Sequence, residues 1–453
     1  MSMAELNTKD GILDDERLHG FHRKLTLFSA GGAFLDGYDL AVIGVALPFL
    51  TQHFHLSTVM QSWTVGSVLI GNMVGMLIFG FLTDKLGRRS MYVIDLVAFV
   101  VFAALTAVST QFWELLLFRF LLGVGIGADY TISPALVAEF NPAARRGARV
   151  GSLTLWFFVG GLLSYVLGIG LAPFGTIAWR IMLAFGALLA LVVLILRSRI
   201  PESPRWLRSK HRDDEADKVL EHLTRVATDV APMVIDNSNH VLLPSDRRLR
   251  TLFGRIAFVS AFWFAWDVMY YGVSLFAPSI VKAAGHGSVL IADFAGASLS
   301  IVSIIGTVVC IYVLVDKVGR RPLLIFGFLG LAIPLLVLAS IHNPSISLLV
   351  LLLDLGVLIG NLGPGVLPWI YATDLFPTKV RALGTGVGAF VGRIGGLLGV
   401  FLFPNLVEHL GVAHATFLFV GVGIVGSIIA FIWAPETKGR SLESLEAGLG
   451  DNG

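Results

Sequence analysis

The sequence predicts an all-α membrane protein: twelve transmembrane helices in two parallel six-helix repeats, with both termini cytoplasmic. Three observations predict it. The 453 residues are 55% hydrophobic and only 14% charged, with a mean hydropathy of +0.80, whereas soluble chains carry about 25% charged residues. Three short motifs recur in the same order: Asp84-Lys85-Leu86-Gly87-Arg88-Arg89 returns at Asp316-Lys317-Val318-Gly319-Arg320-Arg321. Glu139, Pro142 and Arg146 return as Asp374, Pro377 and Arg381, and Pro201-Glu202-Ser203 as Pro435-Glu436-Thr437. The offsets are 232, 235 and 234 positions, and that regularity means a duplicated half. Lastly, Lys and Arg gather in alternate loops, which the positive-inside rule assigns to the cytoplasm.

The elements follow in order. A polar tail, residues 1–24, carries charges of both signs and no short apolar core, so no cleaved signal peptide is expected. Residues 25–197 form the first bundle, with apolar stretches near Leu25–Leu50, Thr58–Thr83, Met91–Ser109, Trp113–Phe140, Ala148–Ala172 and Trp179–Arg197; each has the roughly 20 residues needed to cross a bilayer. Residues 198–250 are a cytoplasmic linker, in which 213–223 reads as short amphipathic helix. The second bundle, residues 251–434, has stretches near Thr251–Val281, Val289–Val315, Leu323–Ile341, Ser347–Ala372, Ala382–Val407 and Ala413–Ala434. A cytoplasmic tail, residues 435–453, closes the chain. Two parallel repeats are the plan expected where a substrate site lies between halves that rock against each other.

Composition also narrows the function. A net charge of +2 gives no reason to expect nucleic acid. The single cysteine, Cys310, excludes an intramolecular disulfide and a cysteine-based metal cluster. The 11 histidines lie mostly in loops and tails without ligand spacing, so neither an enzyme nor a metal site is expected. The expected partners are a small-molecule substrate, protons and the lipid bilayer; the expected cofactor is none, and the chain is expected to act as a monomer in the cell membrane.

The loop Gly80 to Arg89, with its copy at Asp316, resembles the signature of the major facilitator superfamily. That resemblance implies gating roles on the cytoplasmic face for Asp84, Arg88, Arg89, Glu139, Arg146, Asp316, Arg320, Arg321, Asp374 and Arg381. Asp84 can accept hydrogen bonds from a neighbouring helix N-terminus. Pro201-Glu202-Ser203, Pro435-Glu436-Thr437 and Gly37-Tyr38-Asp39 look like the sugar porters. Gly127-Ala128-Asp129-Tyr130 and the Trp263, Asp267, Tyr271 spacing are similar to phosphate:proton symporters. The whole chain from Leu25 to Glu443 resembles bacterial inner-membrane metabolite transporters between these two families. It departs from both. Trp263-Phe264-Ala265-Trp266-Asp267 stands where sugar porters carry a glutamine-rich signature. Trp156 or Phe157 and Gly365 stand where phosphate symporters carry Gln and Asn, and Arg393 stands for their lysine.

Ionisable side chains at membrane depth are expensive and invite a functional reading. Asp36 and Asp39 lie three apart on one helix face, and the resemblance pairs Asp39 with Arg119. Asp129, with no basic neighbour on its own helix, is expected to exchange a proton or touch substrate. These four are the expected proton-coupling residues. Trp263, Asp267 and Tyr271 share one face, and with Tyr130, Trp156, Trp369 and Arg393 they are the expected substrate-binding residues. A bridge from Arg393 to Asp354 is its structural alternative. Asp95 and Asp293 read as structural groups near span ends or a lipid-facing flank. The expected activity is alternating-access, proton-coupled import of an organic acid, sugar acid or polyol. A sugar uniporter or sugar:proton symporter is the alternative, and a transporter-like solute receptor the alternative of another class.

Overall fold

The computed structural model describes residues 19–140, 143–197, 246–276, 289–341, 344–376 and 380–438, with fragments of the linker at 202, 207, 210, 212–215 and 217–219. Regular structure among them is entirely helical. The first half comprises α1 (His19–Phe54), α2 (Thr58–Leu86), α3 (Arg88–Val108), α4 (Phe112–Phe140), α5 (Ala143–Leu171) and α6 (Ala178–Arg197). The second comprises α7 (Asp246–Ser274), α8 (Val289–Val309), α9 (Arg320–Ser340), α10 (Ile346–Asn361), α11 (Leu367–Leu375) and α12 (Arg381–Trp433). Ten helical segments among the described residues are long and apolar enough to cross a membrane.

Local chemistry sets the breaks. Ser57 and Ser345 cap α2 and α10 by accepting the amides of Met60 and Leu348. The expected tenth span, Ser347–Ala372, is broken: α10 ends at Asn361 and α11 starts at Leu367. Gly363-Pro364-Gly365 lies in the gap, where a proline lacks the amide that a continuous helix requires. The expected eleventh and twelfth spans are Leu383–Gly411 and His414–Trp433, two arms of α12 divided by a kink at Gly411, where φ is +81°. Likewise α5 and α6 are separated only by a short 3-10 turn, Ala172–Ile177, with Gly175 at φ +59°.

Packing repeats with the sequence. α1 lies against α5 as α7 lies against the first arm of α12, and α3 lies against α6 as α9 lies against α12. Glycines let α2 and α4 close up: a Cβ on Gly71 would fall 2.0 Å from the Phe120 carbonyl oxygen, and one on Gly127 2.3 Å from that of Asn72. The two most extensive seams between the halves among the described residues are α5 on α8 and α2 on α12. Each pairs a second or fifth span with an eighth or eleventh, so the seams are related by the same pseudo-symmetry as the repeats. In the linker Leu207 is buried with Val219 against it, and Arg212 reaches Glu215 at 2.7 Å in the predicted amphipathic stretch.

Candidate functional site

Between the halves lies a cavity lined by residues of both. α4 contributes Asp129, Tyr130 and Ser133 to its wall, and α5 contributes Leu153, Thr154, Phe157 and Phe158. α7 contributes Trp263, Trp266, Asp267, Tyr270 and Tyr271, because residues four apart face one way. Trp369 of α11 and Arg393 of α12 complete it. The rings form a continuous lining: Trp369 sits 5.0 Å from Trp263 and 5.7 Å from Tyr130, and Trp266 stacks on Tyr270 at 5.4 Å. Trp156 does not line this cavity. It packs instead beside the buried Ala30, Val137, Val150 and Leu153, and its neighbours Phe157 and Phe158 face inward, since successive residues of a helix point about 100° apart.

Arg393 is the polar centre of the wall. Its Nη2 lies 3.1 Å from Asp36 Oδ2 in the opposite half. The same guanidinium donates to the hydroxyls of Tyr130 and Tyr271, and Tyr130 donates to Asp36. Gly392 and Gly395 let α12 approach: a Cβ on Gly395 would meet the Phe264 carbonyl oxygen at 2.4 Å. Two atoms of the cluster are buried without a partner, Arg393 Nε and Asp36 Oδ1. The alternative partner, Asp354, instead accepts a hydrogen bond from Ser298 at 3.1 Å. Asp267 lies on the same wall and forms no ion pair among the described residues.

Two further ion pairs lie within the first half. Arg119 Nη2 is 3.1 Å from Asp39 Oδ2, with Nη1 3.4 Å from Oδ1, and its Nε donates to the Thr64 carbonyl. Both side chains are almost wholly buried. Thus Asp36 and Asp39, although neighbours on α1, serve different arginines. Asp129 does have a basic partner, one that helix-by-helix reading misses: Arg197, at the end of α6, approaches it to 2.6 Å. Arg197 also donates to the carbonyls of Phe28 and Ser29 and lies 4.5 Å from the Tyr92 ring centroid, while Ser133 donates to Asp129. The only signal for Arg197 was a charge closing an apolar run, which reads as an ordinary topological anchor.

Of the two placements expected for Asp95 and Asp293, near span ends or a lipid-facing flank, burial excludes the flank: Asp95 is buried with one carboxylate oxygen unpartnered and Asp293 with both. Asp95 shares a side cavity with Asp129 and Arg197, and Asp293 approaches Gly168 across the α5–α8 seam.

On the loop face, the side chains of Asp84, Arg88, Glu139, Arg146 and Arg381 lie outside the described residues. The remainder show which groups hold the helix starts. The amides of Arg320 and Arg321 donate to the Glu436 carboxylate at 3.0 and 3.1 Å, and the Arg89 amide donates to Glu202 at 3.0 Å. Arg320 also reaches Asp316 at 3.2 Å and Asp374 at 3.5 Å, and Thr437 donates to Asp374 at 2.7 Å. Arg321 reaches the Phe431 carbonyl at 2.6 Å. The first and third repeated motifs therefore meet in space, in each half alike.

The family model described as "Sugar (and other) transporter" matches residues 25–449. The chain is 33% identical over 434 residues to YaaU of Escherichia coli (strain K12), named as a candidate metabolite transport protein, with 95% of each chain covered. It is 30% identical to a D-xylose transporter of Levilactobacillus brevis, covering 93% of this chain and 94% of that one. Among solved structures it superposes on the major facilitator superfamily proton:xylose symporter XylE, bound to 6-bromo-6-deoxy-D-glucose, with a TM-score of 0.78 at 25% identity. That match covers 95% of this chain and 99% of the other.

Proposed function

The chain belongs to the sugar (and other) transporter family of the major facilitator superfamily, and from that premise we propose that it is a proton-coupled importer of a small polar metabolite, an organic acid, sugar acid or polyol. Its relatives are multi-pass transporters of the cell membrane rather than enzymes, and transport of this kind needs no cofactor beyond the proton gradient. We further propose twelve spans with both termini cytoplasmic. Dividing the apolar run Arg149–Arg197 at its 3-10 turn, and counting the broken pair α10 and α11 as one span, gives that number.

The observation that carries the substrate reading is Arg393 in an aromatic cavity wall that also carries Asp267. Rings suit a carbon skeleton, a carboxylate suits hydroxyl donors, and a guanidinium suits an acid. Proton coupling rests on Asp39 and Arg119. Protonating Asp39 cancels the pair, leaves Arg119 with the Thr64 carbonyl, and changes which state of the bundle is favoured. Asp36 and Asp129 take part through their own pairs with Arg393 and Arg197.

Liposomes containing only this protein test the proposal. Uptake should follow an inward proton gradient and collapse with a protonophore, which a solute receptor would not do. Asp39→Asn should abolish accumulation while exchange of substrate across the membrane survives. If the variant still concentrates substrate, passive uniport is the better reading. Neutral sugar symport is a second reading, favoured by the xylose-transporting relative and neighbour. A thermal-shift screen of hexoses, polyols, sugar acids, aromatic acids and phosphate separates the two, because an acid should lose its shift in Arg393→Ala and a neutral sugar should not.

A further inference from the structure

The cavity wall has an unbalanced set of charges. With Asp129 neutralised by Arg197, it leaves one guanidinium, Arg393, to two carboxylates, Asp36 in direct contact and Asp267 in the same lining. An acid entering as its anion would bring a third negative charge to a single cation at membrane depth, where unpaired charge is costly. Yet the site is built to receive an acceptor. Arg393 Nε is buried without a hydrogen-bond partner, as is Asp36 Oδ1, and both residues are at most 2% exposed. Asp36 takes up only one edge of a guanidinium whose fork can hold a carboxylate bidentately.

Resting on the transport reading above, we propose that Arg393 is a proton-gated carboxylate site, at which a monocarboxylate substrate replaces Asp36 as the partner of the guanidinium while Asp36 takes up one proton. The net charge of the site is then the same before and after binding. The substrate carboxylate accepts from Arg393 Nε and one Nη, and its carbon skeleton lies against Trp263 and Trp369. Protonated Asp36 becomes a donor, and the Tyr130 hydroxyl, which donates to Asp36 in this structure, can reverse its role and accept. Because Asp36 and Arg393 lie in opposite halves, the exchange also replaces a direct tie between the halves by one that runs through substrate.

The charged and titratable groups around Asp36 are Arg393 of α12, Tyr130 and Asp129 of α4 and Asp39 of α1, with Asp267 and Tyr271 of α7 on the Arg393 side. Asp129 and Asp39 are already held by Arg197 and Arg119. That leaves Asp36 as the carboxylate whose partner the substrate can take.

Linkage supplies the signature. If one proton enters with each anion, the apparent Kd of a carboxylate weakens about tenfold per pH unit once Asp36 is ionised, and a neutral ligand shows no such slope. The purified full-length protein should be titrated between about pH 5 and pH 8 with D-gluconate and benzoate, and with their neutral counterparts sorbitol and benzamide, by isothermal calorimetry. At least one carboxylate should bind with this slope and more tightly than its neutral counterpart. In Asp36→Asn it should bind with the slope abolished. Should that variant fail to fold, the wild-type slope decides alone, and Asp36→Glu should keep it. A panel in which no carboxylate binds with a slope, or in which sorbitol or benzamide binds as tightly as its acid, overturns the assignment. Gradient-driven accumulation of a neutral sugar by the same protein would leave proton-coupled transport standing and remove this inference alone.

Discussion

Asp129 and Arg197 show what a buried charge demands of its surroundings. Their 2.6 Å contact is wrapped by the Phe28 and Ser29 carbonyls, the Ser133 hydroxyl and the Tyr92 ring, so each polar atom of Arg197 has an acceptor. Removing one partner of such a pair leaves the other unpaired, which costs about 3–5 kcal/mol, whereas replacing both by apolar groups is often neutral. Asp129→Ala should therefore lower the thermal stability of the detergent-purified protein sharply, and Asp129→Leu with Arg197→Met should recover most of it. A single variant as stable as wild type would mean that the pair is not formed in solution. Sequence alone identified Asp129 as anomalous but not why it is tolerated, because its partner comes from a helix 68 positions away. The burial of Asp95 and Asp293 was hidden for the same reason. Position along a helix gives depth, but only the neighbouring helices decide whether a side chain faces lipid or the interior. Asp39 and Arg119 were legible through the family resemblance, and Arg393 through the glycines beside it, although its partner Asp36 lies 357 positions away.

Each repeated loop is completed by a carboxylate from another part of the chain. Glu436 accepts the first two amides of α9, and Glu202 accepts one at the start of α3, where the helix dipole and the unsatisfied amides both favour a negative charge. The side chain of Asp84, expected to serve a helix start, lies outside the described residues; the acceptors described are glutamates, and separations of 116 and 113 positions hid their role. The turn itself depends on Gly319, at φ +103°, where an added Cβ would fall 2.6 Å from a Glu436 carboxylate oxygen. Glu436→Gln should cost roughly 1 kcal/mol and become less harmful at high salt, because screening weakens charge–dipole attraction. Gly319→Ala should cost more, about 1–3 kcal/mol, since it adds backbone strain and displaces the cap together. Thermal unfolding of the two variants checks this order, and the reverse order would mean that the loop relaxes freely. The broken tenth span belongs to the same scale: Gly363-Pro364-Gly365 was visible as a motif, but an apolar run hides a break that only backbone hydrogen bonding reveals.

Duplication makes the molecule two bundles with two equivalent seams, and it was the most legible feature of all because three motifs share nearly one offset. The helical bundle follows from hydropathy, but the seams do not, since both faces of a seam helix are apolar whether they meet lipid or protein. Topology is checked by single cysteines in a Cys310→Ser background: His55→Cys, Thr176→Cys and His414→Cys should react with an impermeant thiol reagent from outside, and Lys85→Cys and Lys317→Cys should not. Labelling of Lys85→Cys from outside would overturn the orientation. If the halves rock about the central cavity, their outer ends must part during each cycle. In this structure those ends touch in the α2–α12 seam. Trp63 meets Phe401 edge to face at 5.1 Å, and a Cβ on Gly66 would lie 3.1 Å from the Leu397 side chain. Trp63 is half exposed and neither ring belongs to the cavity wall, so substitution there should spare the site itself. Trp63→Cys with Phe401→Cys, joined by a short reversible thiol crosslinker, should therefore hold the outer ends together. Uptake into liposomes should stop on crosslinking and return on reduction, and each single cysteine treated alike should keep transporting. Carboxylate binding at Arg393 measured from the cytoplasmic side should persist in the locked protein, because the lock acts on access rather than on the cavity wall. Continued accumulation with the crosslink fully formed would mean that the halves do not separate along this seam.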